Sequence, residues 1–141
     1  MRGMAIRPSA AGALMHYVDL VALLAIMQLL CFAMLVGRAR GRYRVKAPAI
    51  SGHEMFERAY RVQMNTLELL VAFVPALFLA AKYWSAAWIA SIGAVYLLGR
   101  LVYWRSYTKA PASRGLGFAL SMLPIIALVL AALAGVVRSA L

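Results

Sequence analysis

The chain of 141 residues is 65% hydrophobic with a mean hydropathy of +0.83, and its fifteen Lys and Arg against four Asp and Glu give a net charge of +11. That composition excludes a soluble globular domain and points to a single membrane domain. The cations lie between apolar spans, so the charge fits anionic headgroups or an acidic ligand and not nucleic acid, while one cysteine, Cys31, excludes an internal disulfide and multi-cysteine metal motifs.

The first apolar segment predicts a helix over 13–37, preceded by Arg2 and Arg7 and interrupted by His16, Asp19 and Gln28. It is too long for a cleaved signal peptide and ends in Gly37-Arg38-Ala39-Arg40 instead of a small-x-small cleavage pattern. Asp19 and Gln28 are expected to hydrogen-bond to neighbouring helices, His16 to sit at the interface, and Cys31 to be a small buried hydrophobe. The stretch from Arg38 to Lys46, RARGRYRVK, reads as a basic connector, and His53 beyond it as solvated. The first and third connectors with the start of helix two hold eleven of the fifteen cations. Positive loops stay on the cytoplasmic side, so both connectors are expected there and both termini outside. The expected location is a bacterial inner (plasma) membrane.

The second predicted helix, 56–83, opens with FERAYRVQMNTLE. Taking Arg61 as zero on a wheel of about 100° per residue, Arg58 falls near +60°, Asn65 near +40° and Glu68 near −20°, one polar stripe. Gln63 is near 200° and cannot face the same pocket from its own helix. The apolar run Leu69 to Ala81 covers roughly 20 Å, short of a hydrocarbon core of about 30 Å. The span therefore draws Asn65 and Glu68, with Arg61, toward membrane depth. Ionisable groups there mark either a site inside a helical assembly or a buried Arg61–Glu68 ion pair that only locks helices together. Pro75 is a tolerated kink, and Lys82, Tyr83 and Trp84 mark the opposite interface.

The third helix, 86–108, ends in GRLVYWRSY, which places Tyr103 and Tyr107 on one face with Arg100 a turn earlier. On spacing alone this is equally a binding site or an aromatic belt with snorkelling arginines. Pro111 ends the helix, Ser113 is the expected N-cap of the fourth, 114–137, and the apolar run of that last helix, with Gly117, Pro124 and Gly135, reads as a structural wall.

FERAYRVQMNTLE on helix two and VYLLGRLVYWRSYTKAPASR at the end of helix three together resemble the MAPEG proteins, membrane-associated proteins in eicosanoid and glutathione metabolism. The resemblance covers the whole four-helix plan. It implies an all-α integral membrane bundle of four transmembrane helices assembling as a homotrimer, with glutathione as co-substrate held between subunits. It implies that Arg61, Asn65 and Glu68 bind glutathione, that Tyr103 and Tyr107 border it, and that Arg114 stabilises its thiolate. The neighbouring subunit's contribution falls on Arg40 and Gln63. The implied activity is glutathione S-transfer to lipophilic electrophiles or reduction of lipid hydroperoxides, with membrane lipids as surroundings and no metal. The synthases of the family carry a tyrosine directly after the helix-two glutamate, where this chain has Leu69. Two other readings remain: a non-catalytic lipid-binding or scaffold protein, and a small membrane transporter. The first would lack the thiol-activating residues, and the second needs a polar path that helix four does not offer.

Overall fold

The computed structural model describes residues 10–141, in which four helices follow one another: α1 (Ala10–Arg42), α2 (Glu54–Ala81), α3 (Ala86–Lys109) and α4 (Gly115–Ala140). At about 1.5 Å per residue each exceeds a hydrocarbon core of about 30 Å, and all four are apolar enough to cross a membrane. Arg2 and Arg7 lie outside the described residues.

The helix ends depart from the sequence reading for local reasons. α1 continues through Arg38, Arg40 and Arg42, so half of the expected connector is helix. Arginine is a good helix former, and cations in the last turn complement the carbonyl end of the helix dipole. The chain turns only at Arg44, which takes φ 55°. α2 begins at Glu54 because His53 caps it: its extended backbone lets Nδ1 accept from Met55 N at 3.2 Å. His53 also stacks on Tyr43 at 3.9 Å, so it is an exposed but structural residue instead of a merely solvated one. Ser113 does not cap α4. A 3-10 turn over Pro111–Arg114 intervenes, and the Ser113 hydroxyl donates to Ala110 O at 2.8 Å.

The core combines small side chains, which let helices approach, with large apolar ones that fill the space between them. Val18, Ala22 and Ala25 of α1 pack with Phe73, Leu77 and Ala80 of α2, Ile89 and Tyr96 of α3, and Leu128 of α4. Phe73 and Tyr96 stack at 3.9 Å across the middle. α3 and α4 are in the most extensive contact, because Gly99 and Gly117 present no side chain there: a Cβ on Gly117 would lie 2.4 Å from the backbone of Tyr103. Gln28 fulfils its expected role, donating from Nε2 to Leu97 O at 2.9 Å. At the opposite end Trp84 Nε1 donates to Ala131 O at 2.8 Å, tying the short α2–α3 connection to α4.

Two expectations about α1 are corrected. Cys31 is exposed on the bundle surface, and among the described residues Asp19, half exposed, pairs only with His16 of its own helix at 4.0 Å. α1 is apolar around most of its circumference, so many large side chains, among them Leu23, Met27, Leu30 and Met34, remain uncovered by the other helices.

Candidate functional site

The start of α2 meets the end of α3 and the turn into α4 at one end of the bundle. The α2 face that packs inward carries Val62, Thr66, Leu69 and Phe73, all buried. The polar stripe lies beside and opposite that face, as the helical spacing requires. Arg61 and Glu68 are exposed, and Asn65 is half-buried at the border. Among the described residues no ion pair includes Arg61 or Glu68, so the locking ion pair between them is not formed. Instead Asn65 Nδ2 approaches Glu68 Oε2 at 3.5 Å.

Arg58, one turn earlier, has a structural task. Its guanidinium donates to Thr108 O at 3.0 Å and Lys109 O at 3.1 Å, two of the carbonyls left open at the C-terminus of α3, and it pairs with Glu54. This clamp fixes the point where α3 stops and the turn toward Arg114 begins. Tyr103 and Tyr107 stack at 5.4 Å, and the Arg114 guanidinium lies 6.0 Å from the Tyr107 ring centre while donating to Pro111 O at 3.3 Å. Arg114 is exposed, and at the N-cap position of α4 its side chain makes no capping hydrogen bond.

An open cleft of about 480 Å³ lies between these parts, lined by Glu54, Glu57, Arg58, Tyr60 and Arg61 of α2, by Tyr107 and Pro111, and by Ile50 and Ser51 of the first connector. Its volume is in the range of about 300–1,000 Å³ usual for small-molecule sites. Both charge signs line it, which suits a ligand carrying carboxylates and an ammonium. The structure thus brings Arg61, Tyr107, Tyr103 and Arg114 to one place, with Asn65 and Glu68 one and two turns further along α2. It does not bring Arg40 or Gln63 there. Arg40 donates to Ala49 O at 2.9 Å and lies 4.7 Å from the Phe56 ring centre, bracing its own connector, and half-buried Gln63 is on another side of α2.

The most deeply held cation is Arg100, which the sequence left equally part of a binding site or a snorkelling arginine in an aromatic belt. Arg100 does not snorkel: it is 0% exposed, donating to Asn65 Oδ1 at 3.0 Å and Thr66 Oγ1 at 2.7 Å, with its face 4.4 Å from the Tyr103 ring centre. Its place one turn before Tyr103 was the available signal.

With this geometry in view, comparison with known proteins is decisive. A model of the MAPEG family matches residues 18–134, which is most of the chain. The chain belongs to the MAPEG family. An uncharacterized protein of Synechocystis is 47% identical over 114 residues, covering 81% of this chain and 83% of its own length. Human microsomal glutathione S-transferase 2 is 37% identical over 102 residues, covering 72% and 69%. Guinea pig (Cavia porcellus) leukotriene C4 synthase is 38% identical over 102 residues, covering 68% of each chain. The matched span begins in α1 and ends in α4, so the family match covers part or all of each of the four helices.

Proposed function

We propose that this MAPEG protein is a glutathione-dependent membrane transferase, and that the observation carrying the reading is the stack of Tyr103, Tyr107 and Arg114 beside the Arg58–Arg61 cleft. Glutathione has two carboxylates, one ammonium and one thiol. Arg61 suits its carboxylates, Glu68, with the amide of Asn65 beside it, suits its ammonium, and Tyr103 and Tyr107 form the wall along which the peptide lies.

The thiol is weakly ionised at neutral pH, with a pKa of about 8.5, and a nearby arginine lowers it. Arg114 supplies that charge, and the N-terminal end of α4, which follows it, adds the positive end of a helix dipole. The thiolate sulfur attacks an electrophilic carbon of a bilayer-dissolved substrate; the new C–S bond forms as the carbon's bond to the leaving atom breaks, and that atom takes the electron pair. With a lipid hydroperoxide, two glutathiones give the disulfide, the alcohol and water.

The assembly we propose is a homotrimer. Arg61 and Glu68 are charged, exposed on the protomer and carried by a membrane-crossing helix, an arrangement that is costly unless another protein surface covers it. The same argument applies to the uncovered apolar side of α1. Arg40 and Gln63, which point away from the cleft of their own protomer, are the residues a neighbour would contribute. Both connectors are placed on the cytoplasmic face of a bacterial inner membrane, with the termini outside.

The test is glutathione binding to detergent-purified protein, followed by conjugation of a small lipophilic electrophile. Saturable binding that is weakened in Arg61→Ala and Glu68→Gln supports the reading; absence of binding to well-folded protein overturns it. Cross-linking that stops at monomer or dimer in mild detergent refutes the trimer, and a reporter after Leu141 that reads cytoplasmic refutes the topology.

A further inference from the structure

A buried guanidinium with no carboxylate beside it calls for an account of its own. Arg100 is fully buried, and among the described residues its side-chain partners are neutral: Asn65 Oδ1, Thr66 Oγ1 and the Tyr103 ring. Thr66 has committed its single hydroxyl proton to Val62 O at 2.7 Å, so toward Arg100 its oxygen can only accept. Arginine carries donors and no acceptor, which dictates which end of the neighbouring carboxamide it meets. The Asn65 oxygen must face Arg100. Because the amide is planar, the Asn65 nitrogen with its two protons then points away from the core, toward Glu68 Oε2 at 3.5 Å.

We propose that Arg100 is a positioning residue for the polar stripe of α2: by fixing the direction of the Asn65 carboxamide, it makes the outer end of that amide a donor. The donor holds and turns the Glu68 carboxylate as the receptor for the free ammonium of a γ-glutamyl peptide. This role rests on the cleft being a glutathione site. The charge of Arg100 never touches the peptide; it acts through Asn65 and Thr66, which also fixes the depth of α2 against α3.

Asn65 is the only asparagine in the chain, so protein labelled with nitrogen-15 asparagine shows one side-chain amide pair. That pair is expected to be well resolved and protected from hydrogen exchange. In Arg100→Met it should shift and lose protection by about tenfold or more, whereas Arg100→Lys, still a donor-only cation, should retain most of it. An unchanged pair in Arg100→Met overturns the proposal whether or not any ligand binds, and so does an Arg100→Lys protein indistinguishable from Arg100→Met.

Binding supplies the second arm. Glutathione affinity should fall about tenfold in Arg100→Met, the scale of one lost charge-assisted contact. An analogue with the γ-glutamyl amino group replaced by hydrogen should bind the parent and variant alike, and an equal loss for both ligands overturns the role assigned to Glu68. If the parent binds no glutathione yet the amide pair responds as expected, the functional reading fails and the positioning role stands. Should Arg100→Met fail to fold, Asn65→Asp carries the test: it still accepts from Arg100 but offers Glu68 no donor. It should remain folded and lose glutathione affinity; parental affinity in a folded protein would overturn the proposal.

Discussion

The closest approach between helices makes the sharpest quantitative prediction. A methyl group at Gly117 would sit 2.4 Å from both N and Cα of Tyr103 and 2.9 Å from its Cβ, and backbone atoms of a packed helix cannot rotate aside. To regain ordinary contact α4 must move off α3 by about 1 Å, and overpacking of this kind costs roughly 1–3 kcal/mol. Alanine returns at most about 1 kcal/mol of helix propensity over glycine. Gly117→Ala should therefore destabilise by about 1–2 kcal/mol. At Gly37, where nothing lies within 4 Å of the added carbon, the same substitution should be neutral or stabilising by up to about 1 kcal/mol. The contrast, about 1–3 kcal/mol, is readable by reversible denaturant unfolding of both proteins in one detergent. Because Gly117 abuts Tyr103 and follows Arg114 by three residues, the displacement should also lower the conjugation rate, in which small misplacements matter greatly. Equal stability of Gly117→Ala and Gly37→Ala would refute the close-packing argument.

Three further outcomes are expected. Arg114→Ala should leave glutathione affinity within a few-fold of the parent but raise the bound thiol's pKa by about one unit, leaving roughly tenfold less thiolate at neutral pH, read from thiolate absorbance during a pH titration; an unchanged pKa removes Arg114 from the thiolate. Arg58→Met should cost about 1–3 kcal/mol by uncapping the Thr108 and Lys109 carbonyls, measured by denaturant unfolding, and a neutral result would mean that water replaces the clamp without loss. Trp84→Phe should cost about 0.5–1.5 kcal/mol through the lost donor to Ala131, with glutathione affinity unchanged because Trp84 lies at the other end of the bundle.

The parts of this molecule that the sequence made legible are those where the membrane makes an error expensive. An apolar run must be helical to satisfy its own backbone in lipid, so the number and order of spans followed from hydropathy. The α2 stripe stood out because Asn65, Glu68 and Arg61 interrupt such a run. What stayed hidden depends on which neighbour a face meets. α1 is apolar on most sides, so nothing in its pattern told that Cys31 faces outward while Ala25 and Phe32 face in. Thr66 gave no signal, and Arg100 resembled any interfacial arginine, because spacing gives an angle around one helix but not the depth of a partner on another. That depth is set by contacts such as Gly99 against Leu120 and Ser121, which become visible only when α3 and α4 are seen together.

Once Arg100 is placed, the charges of this end of the bundle sort into two kinds. Arg100 and Arg58 turn their terminal guanidinium nitrogens to the protein itself, one to Asn65 and Thr66 inside the bundle, the other to the end of α3. Arg61 and Glu68 have no ionic partner among the described residues although they share a helix that crosses the membrane. They lie within about 20° of each other on α2 but two turns apart, beyond the three- or four-residue spacing at which side chains of one helix pair. Their separation fits groups reserved for something outside the protomer, and the Asn65 amide between them, directed from behind by Arg100, is the feature that links that external role to the buried core.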